Sequence, residues 1–272
     1  MRQQSEWQLG GTAAADYHRY IVKTIILGWS GDLVEVAGVQ SGHRVLDVAC
    51  GTGTVTRFAA DRVGATGRVV GLDMNEGMLD TARALDEPGT TEQVEWRHGD
   101  VTAMPFPDSG FDVVLCQHGL QFFADKPAAL SEMHRVLAPG GRLALSVFRS
   151  LDHCPWHRAV GDAVERHVSP EAAAVIRGSF AFGDREELRA LILGAGFRNV
   201  HIRIESKLIR HASIAEFLPG YLSSTPVADA FTGLDEEVME ALTHEVSAAL
   251  RPYTDDDGLA APVECHVATA SK

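Results

Sequence analysis

Three acidic residues lie in or at the ends of three successive apolar runs, a spacing suited to chemistry on a small polar ligand. Asp47 lies inside VLDVAC (Val45–Cys50), Asp73 ends RVVGLD (Arg68–Asp73), and Asp100 ends VEWRHGD (Val94–Asp100). Between the first two runs stands GTGTVT, Gly51 to Thr56. Glycines there permit positive φ and let a ligand approach the backbone closely. A dinucleotide-binding turn would read G-x-G-x-x-G and receive a pyrophosphate on its N–H groups and helix N-terminus. Here Thr56 takes the third glycine's place, and the Asp47 charge would repel a pyrophosphate. The pattern suits a ligand without phosphate that carries a cationic amine. Asp73 follows the turn by about 20 residues, where a carboxylate accepts ribose hydroxyls; the alternative is a cap for the helix starting near Asn75. Asp100 is placed to take an adenine amino group while Val101 packs on the ring, or else caps its own loop.

The elements that must position these residues follow from periodicity. Apolar residues recur at helical spacing from Tyr17 to Val39, with a break around Gly28–Gly31, which predicts two N-terminal helices. Short apolar runs at Val45–Cys50, Arg68–Asp73, Val94–Asp100, Phe111–Gln117 and Gly141–Phe148 alternate with helical stretches at Thr54–Val63, Asn75–Leu85 and Lys126–Leu137. That rhythm predicts a parallel sheet covered on both faces. It is interrupted by a helical stretch, Cys154–Arg177, and resumes with the Asp-capped helix Asp184–Phe197 and the alternating strand Asn199–Ile209. Ser213–Leu250 is mostly helical with an interruption near Pro219–Pro226, and Pro262–Ala270 is a last strand. The expected organisation is N-terminal helices over the ligand site (1–40), a ligand-binding core (41–150), a helical insertion (151–182), a core helix and strand (183–210), a helical cap (211–260) and the last core strand (261–272).

Composition narrows the function. With 272 residues, 45% hydrophobic and 22% charged, the chain is an ordinary globular protein, and its net charge of −13 lacks the basic footprint of a nucleic-acid binder. The four cysteines, Cys50, Cys116, Cys154 and Cys265, form no CxxC and fit buried free thiols in a reducing compartment. MRQQSEWQLGG has no basic stretch followed by an apolar core, and no apolar run approaches the roughly 20 residues of a membrane helix, so a cytoplasmic protein acting on a small molecule is expected, with no membrane or nucleic-acid partner.

VLDVACGTG, GLDMNEGML, HGDVTAMPFPDSGFDVVLCQHGLQFF and RVLAPGGRLALS together resemble the successive motifs of class I S-adenosylmethionine-dependent methyltransferases, closest to the ubiquinone/menaquinone C-methyltransferase-like branch. The resemblance covers Arg44–Phe148, and extends loosely to GAGFRNVHI and the terminal strand. It implies an α/β, Rossmann-like, doubly wound and mostly parallel seven-stranded sheet, with an antiparallel last strand and helical cap insertions. It implies S-adenosyl-L-methionine as cofactor and S-adenosyl-L-homocysteine as product. Carried over by position, Asp47, Ala49, Cys50, Gly51, Thr52 and Gly53 surround the methionine part, Asp73 holds the ribose, Met74 packs beside the adenine, and Asp100 with Val101 takes its other side. Gln117 and His118 would stand near the methionyl portion. Thr54 departs from the family's frequent third glycine.

A sulfonium is an activated methyl donor, so transfer needs an acceptor held in line behind the methyl. A base is required only if that acceptor must lose a proton. His118 is the candidate base, or else packs beside the cofactor. Gln121, Phe122, His153 and His157 are candidates for the acceptor site, and the two histidines with Cys154 match no standard zinc spacing. The reading is a small-molecule methyltransferase. A nicotinamide-dependent oxidoreductase and a non-catalytic binder of adenosylmethionine or adenosylhomocysteine are the alternatives.

Overall fold

A computed structural model describes residues 12–86 and 93–272; the first eleven positions of the N-terminal region, including the stretch read for a leader, lie outside the described residues. Strands β1 (Arg44–Val48), β2 (Arg68–Asp73), β3 (Val94–His98), β4 (Phe111–Gln117), β5 (Leu137–Phe148), β6 (Arg198–His211), β7 (Thr254–Asp255) and β8 (Gly258–Ser271) form one sheet. Its order is β3-β2-β1-β4-β5-β8-β6, with the two-residue β7 pairing beside β8. The β3, β2, β1, β4 and β5 pairings are parallel, while β8 runs antiparallel to both β5 and β6. The reversed last strand is the one the sequence implied.

Strict alternation along the strands divides the side chains between two faces. Val45, Val69, Val113 and Ala144 point to a core shared with α2 (Leu27–Val36) and α3 (Thr54–Val63). Their neighbours Leu46, Val70, Val114 and Leu143 point to the opposite core, closed by α5 (Lys126–Val136) and α8 (Arg185–Gly194). Helix α4 (Glu76–Ala84) follows β2 and is capped by the Asn75 side chain, which accepts the Met78 N–H. Both faces are therefore dry, as parallel strands require.

A third core lies beyond the sheet's ligand edge. It joins α6 (Pro155–His167), α7 (Pro170–Gly178), α9 (Ile214–Ser223) and α10 (Glu236–Leu250) with Ile21, Ile25 and Trp29 of the N-terminal region. The two insertions are thus one cap. The stretch read as a single helix from Cys154 is two, because Ser169 accepts the Ala172 N–H and Pro170 opens the second. Pro219 does not interrupt its helix: α9 runs through it to Ser223, since Phe217, Leu218, Tyr221 and Leu222 are all buried in the cap core. The interruption comes after, at Ser224 and Thr225, whose hydroxyls bond back to Gly220 and Leu222 carbonyls.

The expected break at Gly28–Gly31 is absent. Helix α1 (Thr12–Asp16), a π-helix over Tyr17–Ile26 and α2 follow one another with helical dihedrals at both junctions. Gly28 and Gly31 both lie inside α2, and the hydrogen-bond period changes earlier, over Tyr17–Ile26, where the π turn is wider.

Candidate active site

The cofactor-sized pocket lies outside the carboxyl ends of β1, β2 and β4, at the switch in strand order between β1 and β4. Two non-glycine residues there hold left-handed backbone, Ala49 at φ 55° after β1 and His118 at φ 54° after β4. Each costs about 1–2 kcal/mol, and such strain persists where surroundings over-determine it. The surroundings are visible: a Cβ on Gly119 would stand 2.8 Å from the Ala49 Cβ and 2.9 Å from Cys116 Sγ, so the two loops interlock only with glycine at 119.

The glycine turn is braced from below. Gly53 adopts φ 81° as the N-cap of α3, so Thr54 is already helical and needs no glycine. A Cβ on Gly53 would fall 2.1 Å from the Trp96 ring of β3, and one on Gly71 2.7 Å from the same ring. Trp96 Nε1 donates to Asp86 Oδ2 at 2.7 Å, and Arg57 lies over the indole while donating to the Thr52 carbonyl at 2.8 Å and the Ala82 carbonyl at 2.6 Å. Sequence reasoning missed this bracket; the available signal was Gly71, a glycine in the middle of a buried strand.

Asp73 sits where three loops meet. Its Oδ2 accepts the Gly51 N–H and its Oδ1 the Asn75 N–H, both at 2.8 Å. Burial raises its pKa, and these backbone donors work against the rise. The carboxylate ties down the turns and also lines the pocket. Tyr17 faces it from the π-helix, its hydroxyl pushed up to about 12 by burial and by the Asp73 charge.

Asp47 is a different case. It is 1% exposed and absent from the pocket wall, with Oδ2 accepting the Thr56 hydroxyl at 2.6 Å. Burial pushes its pKa up to about 7, against the pull of the Thr56 bond. The residue that spoils the dinucleotide fingerprint is thus the partner of the residue that would repel pyrophosphate. Cys50 and Thr52 are likewise buried behind the turn, and Thr52 Oγ1 meets His18 Nδ1 at 2.9 Å.

The pocket wall includes Ala49, Gly51, Met74, Gln117, His118, Phe122 and His157 among the sequence candidates. Gly51 has open space within 4 Å of a built Cβ, the close approach a ligand needs. Gln117 donates through Nε2 to the Ile26 carbonyl at 3.0 Å, which fixes the amide, while its buried Oε1 has no partner. A pinned amide oxygen without a donor suits an ammonium group.

Other candidates stand elsewhere. Asp100 is exposed and turns Oδ1 onto the Thr102 N–H and hydroxyl, both at 2.8 Å, so the loop-capping alternative describes its contacts; Val101 is buried in the core beneath. Gln121 is buried outside the wall because its Oε1 accepts the Phe148 N–H at 3.3 Å. His153 is drawn to Glu264, 3.5 Å away, beside Arg149, and does not reach the pocket. Cys154 Sγ faces the Glu264 carbonyl at 3.9 Å, so His153 and Cys154 both meet Glu264 while His157 lines the pocket.

His118 lines the pocket with its ring flat on Phe148 at 4.0 Å and edge-on to Trp29 at 6.0 Å, and burial holds its pKa down to about 3. His157 is held down to about 3 by burial and then by the neighbouring His118. Both are neutral imidazoles near pH 7. The insertions add Ile176, Phe180, Tyr221, Thr225 and Pro226 to the wall, and Ile21 and Ile25 of the N-terminal region face them. No helix among the described residues is long and apolar enough to cross a membrane.

A sequence profile of the ubiE/COQ5 methyltransferase family matches residues 22–208. The ubiquinone/menaquinone biosynthesis C-methyltransferase UbiE of Cronobacter sakazakii is 36% identical over 185 residues, covering 64% of this chain and 73% of that one. Its counterpart in Ectopseudomonas mendocina is 38% identical over 184 residues, covering 63% and 72%. Among solved structures, Haemonchus contortus phosphoethanolamine N-methyltransferase 2 in complex with S-adenosyl-L-methionine shares the fold at a TM-score of 0.60 and 18% identity, over 95% of this chain and 56% of that one. Open backbone at Gly51, the Asp73 carboxylate and the unpaired Gln117 oxygen are the polar features this pocket offers a ligand. The chain belongs to the ubiE/COQ5 methyltransferase family and is an S-adenosylmethionine-dependent methyltransferase acting on a small molecule.

Proposed function

We propose that the pocket's two ends divide the reaction between them, cofactor at the strand ends and a small, largely apolar acceptor under the cap. Asp73 holds the ribose, Met74 lies along the adenine, and Ala49, Gly51 and the Gln117 oxygen receive the methionyl group. Adenosylmethionine supplies a methyl group already activated by its sulfonium. The chain's part is to hold the acceptor in line behind that methyl and to keep water out, which Tyr17, Ile21 and Ile25 do from one side and the cap helices from the other.

One observation carries this reading: among the described residues, Asp73 is the only charged side chain that lines the pocket, and it stands at the cofactor end. An apolar acceptor accords with the names of the curated relatives, ubiquinone/menaquinone biosynthesis C-methyltransferases. The four buried free thiols fit the reducing cytoplasm. With His118 and His157 held near 3, neither takes a proton from the acceptor near neutrality. The acceptor therefore brings its own nucleophilicity, as an electron-rich ring carbon or a neutral amine does, and the proton it gives up after the methyl has moved passes to solvent.

The test is transfer of labelled methyl from adenosylmethionine to a panel of apolar ring compounds, set against phosphorylated and other highly charged small molecules. Label on the apolar panel, with a rate between about pH 6 and 8 that follows each acceptor's own ionisation, is expected. Label confined to charged acceptors, or a common step near pH 6.5 whatever the acceptor, contradicts the reading.

A further inference from the structure

The sheet ends on a strand with one side free. β6 is last in the order and pairs with β8 alone, so its outer row of N–H and C=O groups meets no strand among the described residues. A side chain reaches its backbone only near the start, where Arg189 donates to the Val200 carbonyl at 2.9 Å. Proteins guard such edges with short strands, prolines, bulges or lysines standing at the edge. β6 runs 14 residues without a proline. Its bulge lies at the start, between Arg198 and His201. Its one lysine, Lys207, is turned onto Asp32 and the Trp29 ring. The opposite edge, β3, is only 5 residues long and exposes no large apolar side chain.

The side chains of β6 alternate in two rows. In one row Ile202 is buried in the core closed by α5 and α8, but Ile204 is 52% exposed and Leu208 50%, with Pro262 of β8 beside Leu208. The other row holds Arg203 and Glu205, paired along the strand. In an antiparallel pair, directly opposite residues lie on one face within about 5.5 Å, where unlike charges and apolar pairs stabilise and like charges destabilise. A two-fold axis through Ile204 sets Ile204 against its own copy, Leu208 against Val200, and Arg203 against Glu205, the last two contacts twice by symmetry. An axis through Glu205 instead opposes Glu205 to itself and Arg203 to Lys207, and one through Arg203 opposes Arg203 to itself. Further out, the bulge takes Arg198 out of the ladder and Arg210 is already paired with Asp255. The strand is its own complement in the Ile204 register.

We infer that β6 docks on the β6 of a second copy of this chain, antiparallel about a two-fold axis through Ile204, so that one sheet continues across the interface. Such an interface is closed and self-complementary, which limits it to a dimer. From Val200 to Leu208 it spans about 30 Å of strand, at roughly 3.3 Å per residue. No β6 residue lines the ligand pocket, so pairing leaves the pocket open.

The test is sedimentation velocity of the full chain between about 1 and 100 μM, where a monomer–dimer equilibrium with a Kd on the order of 10 μM is expected. Arg203→Glu and Glu205→Arg each set like charges opposite one another at both symmetry-related contacts, and each is expected to weaken association at least about tenfold. Ile204→Glu, at an exposed position, puts two carboxylates on the axis and is expected to do the same. Circular dichroism matching the wild type marks an intact fold in each variant. Mixed in equal amounts, Arg203→Glu and Glu205→Arg chains oppose unlike charges again, and the mixture is expected to recover association close to the wild type. The pair within each strand stays broken in that mixture, so a role confined to the monomer would not give the recovery. A chain that stays monomeric at about 100 μM overturns the inference. So does a dimer that the three variants leave unchanged, or a mixture no more associated than its components.

Discussion

Lowering the pH from about 7 to about 5 is expected to cost the wild-type chain about 4 kcal/mol more folding stability than it costs the doubly substituted chain His118→Phe/His157→Phe. Both imidazoles are held to about 3 in the folded protein, against an ordinary histidine value of about 6.5 in the unfolded chain. Below about 6.5 the unfolded chain therefore binds protons that the folded chain refuses, and stability falls with pH until the folded values are reached. Each histidine contributes about 2 kcal/mol of that loss by pH 5, from the integrated linkage relation. Asp47 acts in the opposite sense: its folded pKa, raised to about 7, lets the native state take up a proton that the unfolded carboxylate refuses until about pH 4. That contribution is common to both chains and cancels in the comparison. Urea-unfolding free energies of the two chains at the two pH values measure the difference. Equal losses in both would mean that the imidazoles titrate normally, and would return His118 to consideration as a base.

Asp73→Ala is expected to weaken adenosylmethionine binding at least about 100-fold, or about 3 kcal/mol. The substitution removes an acceptor pair for the ribose, and it also releases the Gly51 and Asn75 N–H groups that the carboxylate now holds at 2.8 Å each. The turn that must receive the methionyl group then loses one anchor while the Trp96–Arg57 bracket beneath it stays in place. Asp73→Asn keeps the shape and one acceptor oxygen, and falls between alanine and wild type. Calorimetric affinities of the three chains decide it. An unchanged affinity in Asp73→Ala would remove the ribose assignment and leave Asp73 as a structural cap.

The part of the fold that reads directly from sequence is the part where local pattern and burial agree. Short apolar runs such as Arg68–Asp73 and Phe111–Gln117 coincide with strands because both faces of the sheet are dry. The cap is less legible. The interruption read near Pro219–Pro226 falls at its far end, at Ser224 and Thr225, because tertiary burial of Phe217 and Tyr221 carries the helix through Pro219. Gly28 and Gly31 read as a break, yet both lie inside an α-helix that continues the N-terminal π-helix.

The site divides in the same way. Acids at strand ends are legible since the chain must place them at the ligand edge, and Asp73 and Gly51 stand there. Their partners are not: Thr56 for Asp47 and Trp96 beneath Gly53 are contacts between residues on different turns and strands. Strand-end position alone also brings forward Asp100, whose side chain turns onto its own loop. The acceptor end needs β4, β5, α6, α7 and α9 to converge, so the setting of His157 among Phe148, Phe180 and Tyr221 exists only in the folded chain.

The measurement that tests the account most directly is a parallel calorimetric titration of the full chain with S-adenosylmethionine, S-adenosylhomocysteine and NAD. The account predicts that the first two bind at a single site, with affinities on the order of micromolar, and that NAD gives no heat of binding. Binding of NAD without either adenosyl compound would contradict it.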